Sequence, residues 1–310
     1  MKKNPWVVIA GLVFVFGVLL VILMVSSSLS MFGSSPVRVT SGESILKLKL
    51  DGVIIDPSKF LKNLIKYRKD DQIKAIVIEV SSPGGVVGPS QEIYEEVKRV
   101  REEFKKPVVV VSTDLIASGA YYVAVAADKI VVQPGTLIGS IGVIMQFANL
   151  EGLYNWAKVS RFSISTGKFK DSGAEYRAMR DDEKDYFQAL VNDTWVQFKE
   201  AVATGRNLKM EDVEPYADGR IMNGAEAVKL KLADEIGTTE DAYKLAAELA
   251  GLDEDNYEIF EPPKQRKTIF DILGGEEEED AVTRIKSMFD SVMHSQLLNK
   301  PLYLMPGVLN

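Results

Sequence analysis

The 310 residues contain no cysteine. That absence excludes disulfides, a thiol nucleophile, iron–sulfur clusters and cysteine zinc sites. It suits any compartment, an oxidising one included. Histidine is almost as scarce, with one residue, His294, close to the C-terminus. A Ser-His-Asp triad would have to recruit that single side chain, whose simplest reading is a solvated tail residue. One chain with one histidine also builds no histidine metal cluster. Acid–base chemistry therefore falls to Asp, Glu, Lys or Tyr, and neither a metal nor a cofactor is expected. Positive charge is in deficit too. The 37 Lys and Arg against 44 Asp and Glu leave a net −7, which argues against a nucleic-acid surface.

Long apolar runs are confined to the N-terminal end. Trp6 to Val25 is uncharged and almost wholly apolar. At about 1.5 Å per residue it spans roughly 30 Å, the thickness of a bilayer's hydrocarbon core. Lys2 and Lys3 precede it and no charge follows until Arg38, so the positive-inside rule puts residues 1–5 in the cytoplasm and the rest outside. A cleaved signal peptide is the rival. Cleavable apolar regions are usually about 7–15 residues long and end in an A-x-A-like site. Ser26-Ser27-Ser28-Leu29-Ser30 fits that poorly, so a retained single-pass anchor in the cell membrane is expected.

Residues 26–40 are Ser-, Gly- and Pro-flavoured and read as a linker. Over 41–250 the rhythm is that of an α/β domain with a parallel sheet. Ile45 to Leu50 alternates like a half-exposed strand. Ile73 to Val80 and Pro107 to Ser112 are β-branched runs of the buried parallel kind, and Lys129 to Val132 is another short strand. Pro89 to Phe104 carries apolar residues at helical spacing and predicts a crossover helix. Asp181 and Asp182 open a long helix to about Thr204. Another helix covers about Thr239 to Ala250, capped by Thr238 or Thr239. Residues 251–280 are acidic and read as a linker, with a charge run over 276–280; residues 281–310 hold a short amphipathic helix and the apolar tail LLNKPLYLMPGVLN. Three fates stay open for that tail: extended in a peptide groove by strand addition, packed on the subunit surface, or without fixed structure.

Three glycine-bearing turns could carry chemistry. Ser81-Ser82-Pro83-Gly84-Gly85 follows a strand; a Gly-Gly pair lets backbone approach a ligand and turn N–H groups toward an oxyanion, or is an ordinary turn. Ala117-Ser118-Gly119-Ala120-Tyr121-Tyr122 precedes a helix expected over Tyr121 to Ala127, so Ser118 is a nucleophile or an N-cap. Gly139-Ser140-Ile141-Gly142-Val143 could let Ser140 orient a catalytic partner, or merely satisfy a turn. With histidine scarce, a lysine that loses its proton could activate Ser118, because burial disfavours the charged ammonium, and Ser–Lys is a known variant of the triad. Spacing alone does not choose Lys170 over Lys168 or over other lysines.

Together these segments resemble the signal peptide peptidase A family in its short, single-domain form. The likeness covers about residues 45–250 and rests on SSPGG, DLIASGAYYVAVAADKI, TLIGSIGVI, GKFKDSG and ADGRIMNGAEAVKLKLADEIG in that order. The resemblance implies a Clp/crotonase-like spiral of ββα units. It implies Ser118 as nucleophile and Lys170 as general base, with main-chain donors at Gly84, Gly85 and Gly119 and Ser140 in support of the lysine. It further implies a membrane-anchored serine endopeptidase that degrades cleaved signal peptides, built as a homo-oligomeric ring in which one subunit's serine meets a neighbour's lysine. Two features depart from the family: residues 251–310 have no counterpart, and Ala120 stands where many members have a second glycine. The alternatives are an acyl-CoA hydratase or isomerase on the same fold, a related protease that processes membrane proteins, and a non-catalytic membrane scaffold.

Overall fold

A computed structural model describes residues 42–253, 256–263 and 300–305. The expected anchor, the 26–40 linker, the 276–280 charge run, the amphipathic helix after 281 and His294 lie outside the described residues. Among the described residues no helix is long and apolar enough to cross a membrane.

In chain order the elements are β1 (Ser44–Asp51), α1 (Ser58–Tyr67), β2 (Ile73–Ser81), β3 (Gly84–Val86), α2 (Val87–Glu102), β4 (Val108–Ser112), β5 (Leu115–Ala117), α3 (Gly119–Ala124), β6 (Lys129–Val132) and β7 (Leu137–Gly139). Then follow α4 (Glu151–Trp156), α5 (Asp181–Arg206), α6 (Met210–Val213), β8 (Ile221–Asn223), α7 (Gly224–Lys229), β9 (Glu235–Ile236), α8 (Thr239–Ala250), β10 (Glu258–Phe260) and β11 (Leu302–Leu304). The main sheet runs β10-β1-β2-β4-β6-β9, and its five strand pairs are all parallel. This is the α/β architecture that the strand–helix rhythm predicts. β10 comes from the stretch read as a linker, so the sheet extends past residue 250.

The β-branched runs are buried on both faces because helices cover both. On one side Ile45, Ala75, Val77 and Val109 pack on Ala242, Tyr243 and Ala246 of α8. Strand alternation sends Leu46, Ile76, Ile78 and Val110, all fully buried, to the other side, where α1 packs on β1 and α2 on β4. Thr238 is the cap of α8: its hydroxyl accepts from Asp241 N–H and the Asp241 carboxylate accepts in return.

A repeating turn makes the site. Long strands β2, β4 and β6 are each followed within a few residues by a short strand, β3, β5 or β7, lying beyond their carboxyl ends; after β3 and β5 a helix follows directly. β5, β7 and β8 form a second small sheet, and β2 reaches it through a bridge from Ser82 to Ile116. β3 stays outside that sheet and pairs antiparallel with β11 from the C-terminal tail.

Candidate active site

Ser118 sits between β5 and α3 at φ 53°, ψ −119°. A side chain rarely tolerates positive φ, and such strain collects at functional sites. A capping serine has extended torsions and offers its oxygen to an N–H of the first turn. Ser118 has neither, for its side chain makes no capping bond. Its Oγ is buried with no hydrogen-bond partner among the described residues. The turn is instead fixed by backbone: Ser118 N–H donates to Gly139 C=O and Tyr122 N–H donates to Ser118 C=O, both at 2.8 Å. The sharp strand–serine–helix turn is the geometry that presents a nucleophile.

The glycines are dictated by close approach. A Cβ on Gly85 would fall 2.1 Å from the Ile54 carbonyl oxygen. One on Gly84, at φ 97°, would fall 2.2 Å from the Tyr303 carbonyl oxygen and 2.6 Å from the Gly119 nitrogen. One on Gly119 would meet Ser90 Oγ at 2.5 Å and the Tyr303 oxygen at 3.1 Å. The Tyr303 carbonyl thus lies in the small space bounded by these three glycines. The donors are not equivalent. Gly84 N–H is spent on Ser82 Oγ at 3.2 Å, so Gly84 serves by its missing side chain. Gly85 is the antiparallel partner of Tyr303. Met305 N–H donates to Pro83 C=O and Val87 N–H to Pro301 C=O, so by alternation Gly85 and Tyr303 form a hydrogen-bonded pair. Gly85 N–H therefore points at the Tyr303 carbonyl.

Residues 300–305 of the tail lie in the groove as an added strand, the first of the fates left open by the sequence. Leu302 also exchanges two backbone bonds with Ile144, of 2.9 and 3.0 Å, so both edges of the tail are paired. Leu302 and Leu304 are buried on one face against Val53 and Val86. Tyr303 points the other way and is fully buried. Its ring stacks on Tyr122 (centroids 5.0 Å, 19° between planes) and packs on Phe198 at 4.6 Å. Burial pushes the Tyr122 hydroxyl up to about 12 and raises that of Tyr303 as well, so both stay neutral. Sequence reasoning did not find this pocket.

Lys170 stands elsewhere, on an exposed stretch between α4 and α5. Its ammonium makes no ion pair or hydrogen bond among the described residues. Lys168 is different: it pairs with Asp182 at 2.6 Å and lies over the Phe169 ring. The loop is anchored at its far end. Asp171 and the fully buried Glu183 share the Arg177 guanidinium, and Arg180 adds a second cation and a backbone N–H to Glu183. The Arg177 hydrogen bonds hold the Glu183 carboxyl at about 2, well below its ordinary 4.5. Residues 155–170 are all exposed, and among them Trp156, Phe162 and Ile164 are 82%, 76% and 95% exposed. Exposed apolar patches of this kind mark interaction surfaces. Ser140 is buried at φ 53°, next to the Gly139 carbonyl that fixes Ser118. In the single chain no bond joins it to Lys170, and Ser118 and Lys170 are not in contact through any hydrogen bond.

The model of peptidase family S49 matches residues 101–253. A Synechocystis sp. protein provisionally named a protease is 38% identical over 232 residues, covering 74% of this chain and 83% of its own length. A Methanocaldococcus jannaschii protein, also provisionally named a protease, is 36% identical over 259 residues, covering 79% of both chains. An Enterococcus faecium relative provisionally named signal peptide peptidase SppA is 34% identical over 215 residues, covering 65% of this chain and 62% of its own. The hydratase and scaffold alternatives fall away, and with the five motifs in order this chain belongs to peptidase family S49, the SppA proteases, and is a serine-type peptidase.

Proposed function

We propose that Ser118 is the nucleophile and Lys170, from a neighbouring copy, the general base of a membrane-anchored endopeptidase whose substrates are cleaved signal peptides. The observation that carries the reading is the tail: a peptide strand lies antiparallel on β3 with the Tyr303 carbonyl facing Gly85 and close to Gly119, the residue that follows the strained Ser118. In a substrate that carbonyl carbon takes the Ser118 Oγ, and the hydroxyl proton passes to the neutral Lys170 amine. The negative oxygen would be held by the Gly85 and Gly119 N–H groups. The lysine returns the proton to the departing amine nitrogen as the C–N bond breaks. Water, deprotonated by the same lysine, then releases the acyl group.

Three features support a shared site. Among the described residues Lys170 is unpaired, Lys168 is committed to Asp182, and the stretch bearing both is exposed and studded with apolar side chains. A neighbour covering that stretch would remove water from the amine, which favours the neutral form a base requires. Assembly on a Clp/crotonase-like spiral as a closed ring fits a heterologous contact of this kind. Recognition through main-chain bonds on β3 and at Ile144 suits unfolded, apolar peptides, the chemistry of signal-peptide remnants. The apolar run over 6–25 would hold the enzyme at the membrane outer face, where such remnants are left. The test is covalent labelling by a fluorophosphonate together with peptide turnover. Ser118→Ala should abolish both and Lys170→Ala should lower turnover by a few orders of magnitude; full activity in either variant would overturn the assignment.

A further inference from the structure

Lys170 lies in a run of tight turns, outside any helix or strand. Its N–H reaches Gly167 C=O at 3.5 Å, Ser172 N–H donates to Phe169 C=O at 3.2 Å, and Ala174 N–H donates to Asp171 C=O at 3.2 Å. Such bonds, exposed to water, hold a segment weakly. Two guanidinium groups grip the run from beyond it. Arg180 Nη2 donates to Lys168 C=O at 2.8 Å. Arg177 Nη2 donates to Asp171 C=O at 3.1 Å and lies 3.2 Å from Asp171 Oδ1. The main chain is thus held on both sides of Lys170. Both guanidiniums converge on one carboxylate. Arg177 forks onto Glu183, with Nη1 to Oε2 at 2.9 Å and Nη2 to Oε1 at 2.6 Å, and Arg180 Nη1 meets Oε1 at 2.8 Å. Glu183 is fully buried in the first turn of α5. A third tie comes from Phe169, whose ring stacks on Tyr186 of α5 at 5.2 Å. Capping α5 requires only the bond from Arg180 N–H to Glu183 Oε2. It does not require guanidiniums that reach outward to the Lys168 and Asp171 carbonyls.

We propose that Glu183, acting through Arg177 and Arg180, is a clamp that positions Lys170 for proton transfer. The proposal rests on the reading of Lys170 as the general base. A base carried on an exposed turn must still arrive within hydrogen-bond reach of the hydroxyl it serves, and a misplacement of about 1 Å can cost about a hundredfold in rate. The forked Arg177–Glu183 pair supplies the needed geometry, because two parallel charge-assisted bonds fix orientation as well as distance. The cluster sets Arg177, Arg180 and Lys168 against Asp171, Asp182 and Glu183. Its charges balance, so it acts on position rather than through net charge. Lys168 takes part by its carbonyl, and its side chain is dispensable to the clamp. Glu183, Arg177 and Arg180 are positioning residues, since none of them touches the reacting atoms.

The test uses the full chain and turnover of a fluorogenic peptide. Arg177→Ala should lower kcat by about ten- to a hundredfold and leave KM within about twofold, since peptide binding on β3 does not involve the loop. In the Lys170→Ala background the same substitution should cost nothing further, because nothing is left to position. A merely structural role would slow both backgrounds alike. Glu183→Gln, which keeps the shape of the hub and removes its charge, should repeat the pattern and serves where Arg177→Ala does not fold. Lys184→Ala breaks the exposed Lys184–Asp181 pair on the same helical turn and should match the wild type. A second measurement needs no turnover. Hydrogen exchange over residues 167–172 should speed at least about tenfold in Arg177→Ala, with the loss of its charge-assisted bonds, while β2 and β4 exchange as before. Wild-type kcat in Arg177→Ala and Glu183→Gln, equal costs in the two backgrounds, or unaltered exchange over 167–172 would overturn the proposal. Full turnover in Lys170→Ala would remove the base itself, and the proposal with it. A slow Lys170→Ala beside an unimpaired Arg177→Ala would remove the clamp alone.

Discussion

Replacing Tyr303 with alanine should open the active site. The ring is fully buried and packs on Tyr122 and Phe198 with centroids 5.0 and 4.6 Å away. Truncating a buried aromatic to alanine costs about 3–5 kcal/mol. Tyr303 belongs to the added strand, so the loss is expected to fall on the equilibrium between occupied and open grooves. The backbone bonds at Ile144, Val87 and Pro83 remain available to the variant. Taking the lower figure, about 3 kcal/mol, occupancy shifts by roughly a hundredfold. The assay is the second-order rate of fluorophosphonate labelling at Ser118, with turnover of a short fluorogenic peptide alongside. Both should rise in Tyr303→Ala toward the level of a chain lacking residues 297–310, with the thermal midpoint of the domain little changed. Equal labelling and turnover in the wild type, Tyr303→Ala and the truncated chain would refute the idea that the tail occupies the groove in solution.

The strained Ser118 yields a stability prediction. Ser118→Gly removes a buried hydroxyl without a partner and relieves a positive φ, so it should raise stability in urea unfolding by about 1 kcal/mol while abolishing activity; a destabilised variant would count against strain. The anchored loop yields a pH prediction. Glu183 titrates near 2 in the folded chain against an ordinary 4.5. The unfolded chain therefore takes up its proton first, and the stabilisation is complete above about 4.5 and lost as pH falls from there toward 2. Glu183→Gln should flatten that part of the acid-unfolding curve; an unchanged curve would remove Glu183 from the account. The two lysines should behave differently: Lys168→Ala breaks an exposed ion pair worth about 1 kcal/mol at most and should keep more than half of the peptidase activity that Lys170→Ala loses.

The long elements were legible because their patterns are long. β2 and β4 are unbroken β-branched runs, and α5 and α8 carry acidic first turns and helical spacing. The short strands β3, β5, β7 and β8 are three residues each, too brief for any periodicity to register. Helix α1 did carry a signal, with buried Phe60, Leu61, Leu64 and Tyr67 on one face, that went unread beside its lysines. At the site, sequence left Ser118 between cap and nucleophile; its positive φ and the missing capping bond exclude the cap. It left Lys168 beside Lys170, and in the structure Lys168 is paired with Asp182. The tyrosine pocket was illegible for a different reason. Tyr94, Tyr122, Thr194, Phe198 and Tyr303 come from four distant segments, and only the meeting of α2, α3, α5 and the tail defines it. The helix expected from Tyr121 begins at Gly119 because the turn at Ser118 leads straight into it.

A mixture of inactive subunits bears most directly on the shared site. Ser118→Ala and Lys170→Ala proteins, each inert alone, are unfolded, mixed in equal amounts and reassembled. If one copy's hydroxyl works with the next copy's amine, about a quarter of wild-type turnover should return, since half the serines are intact and half of those meet an intact lysine in a closed ring. Assembled rings that stay inert would contradict the account.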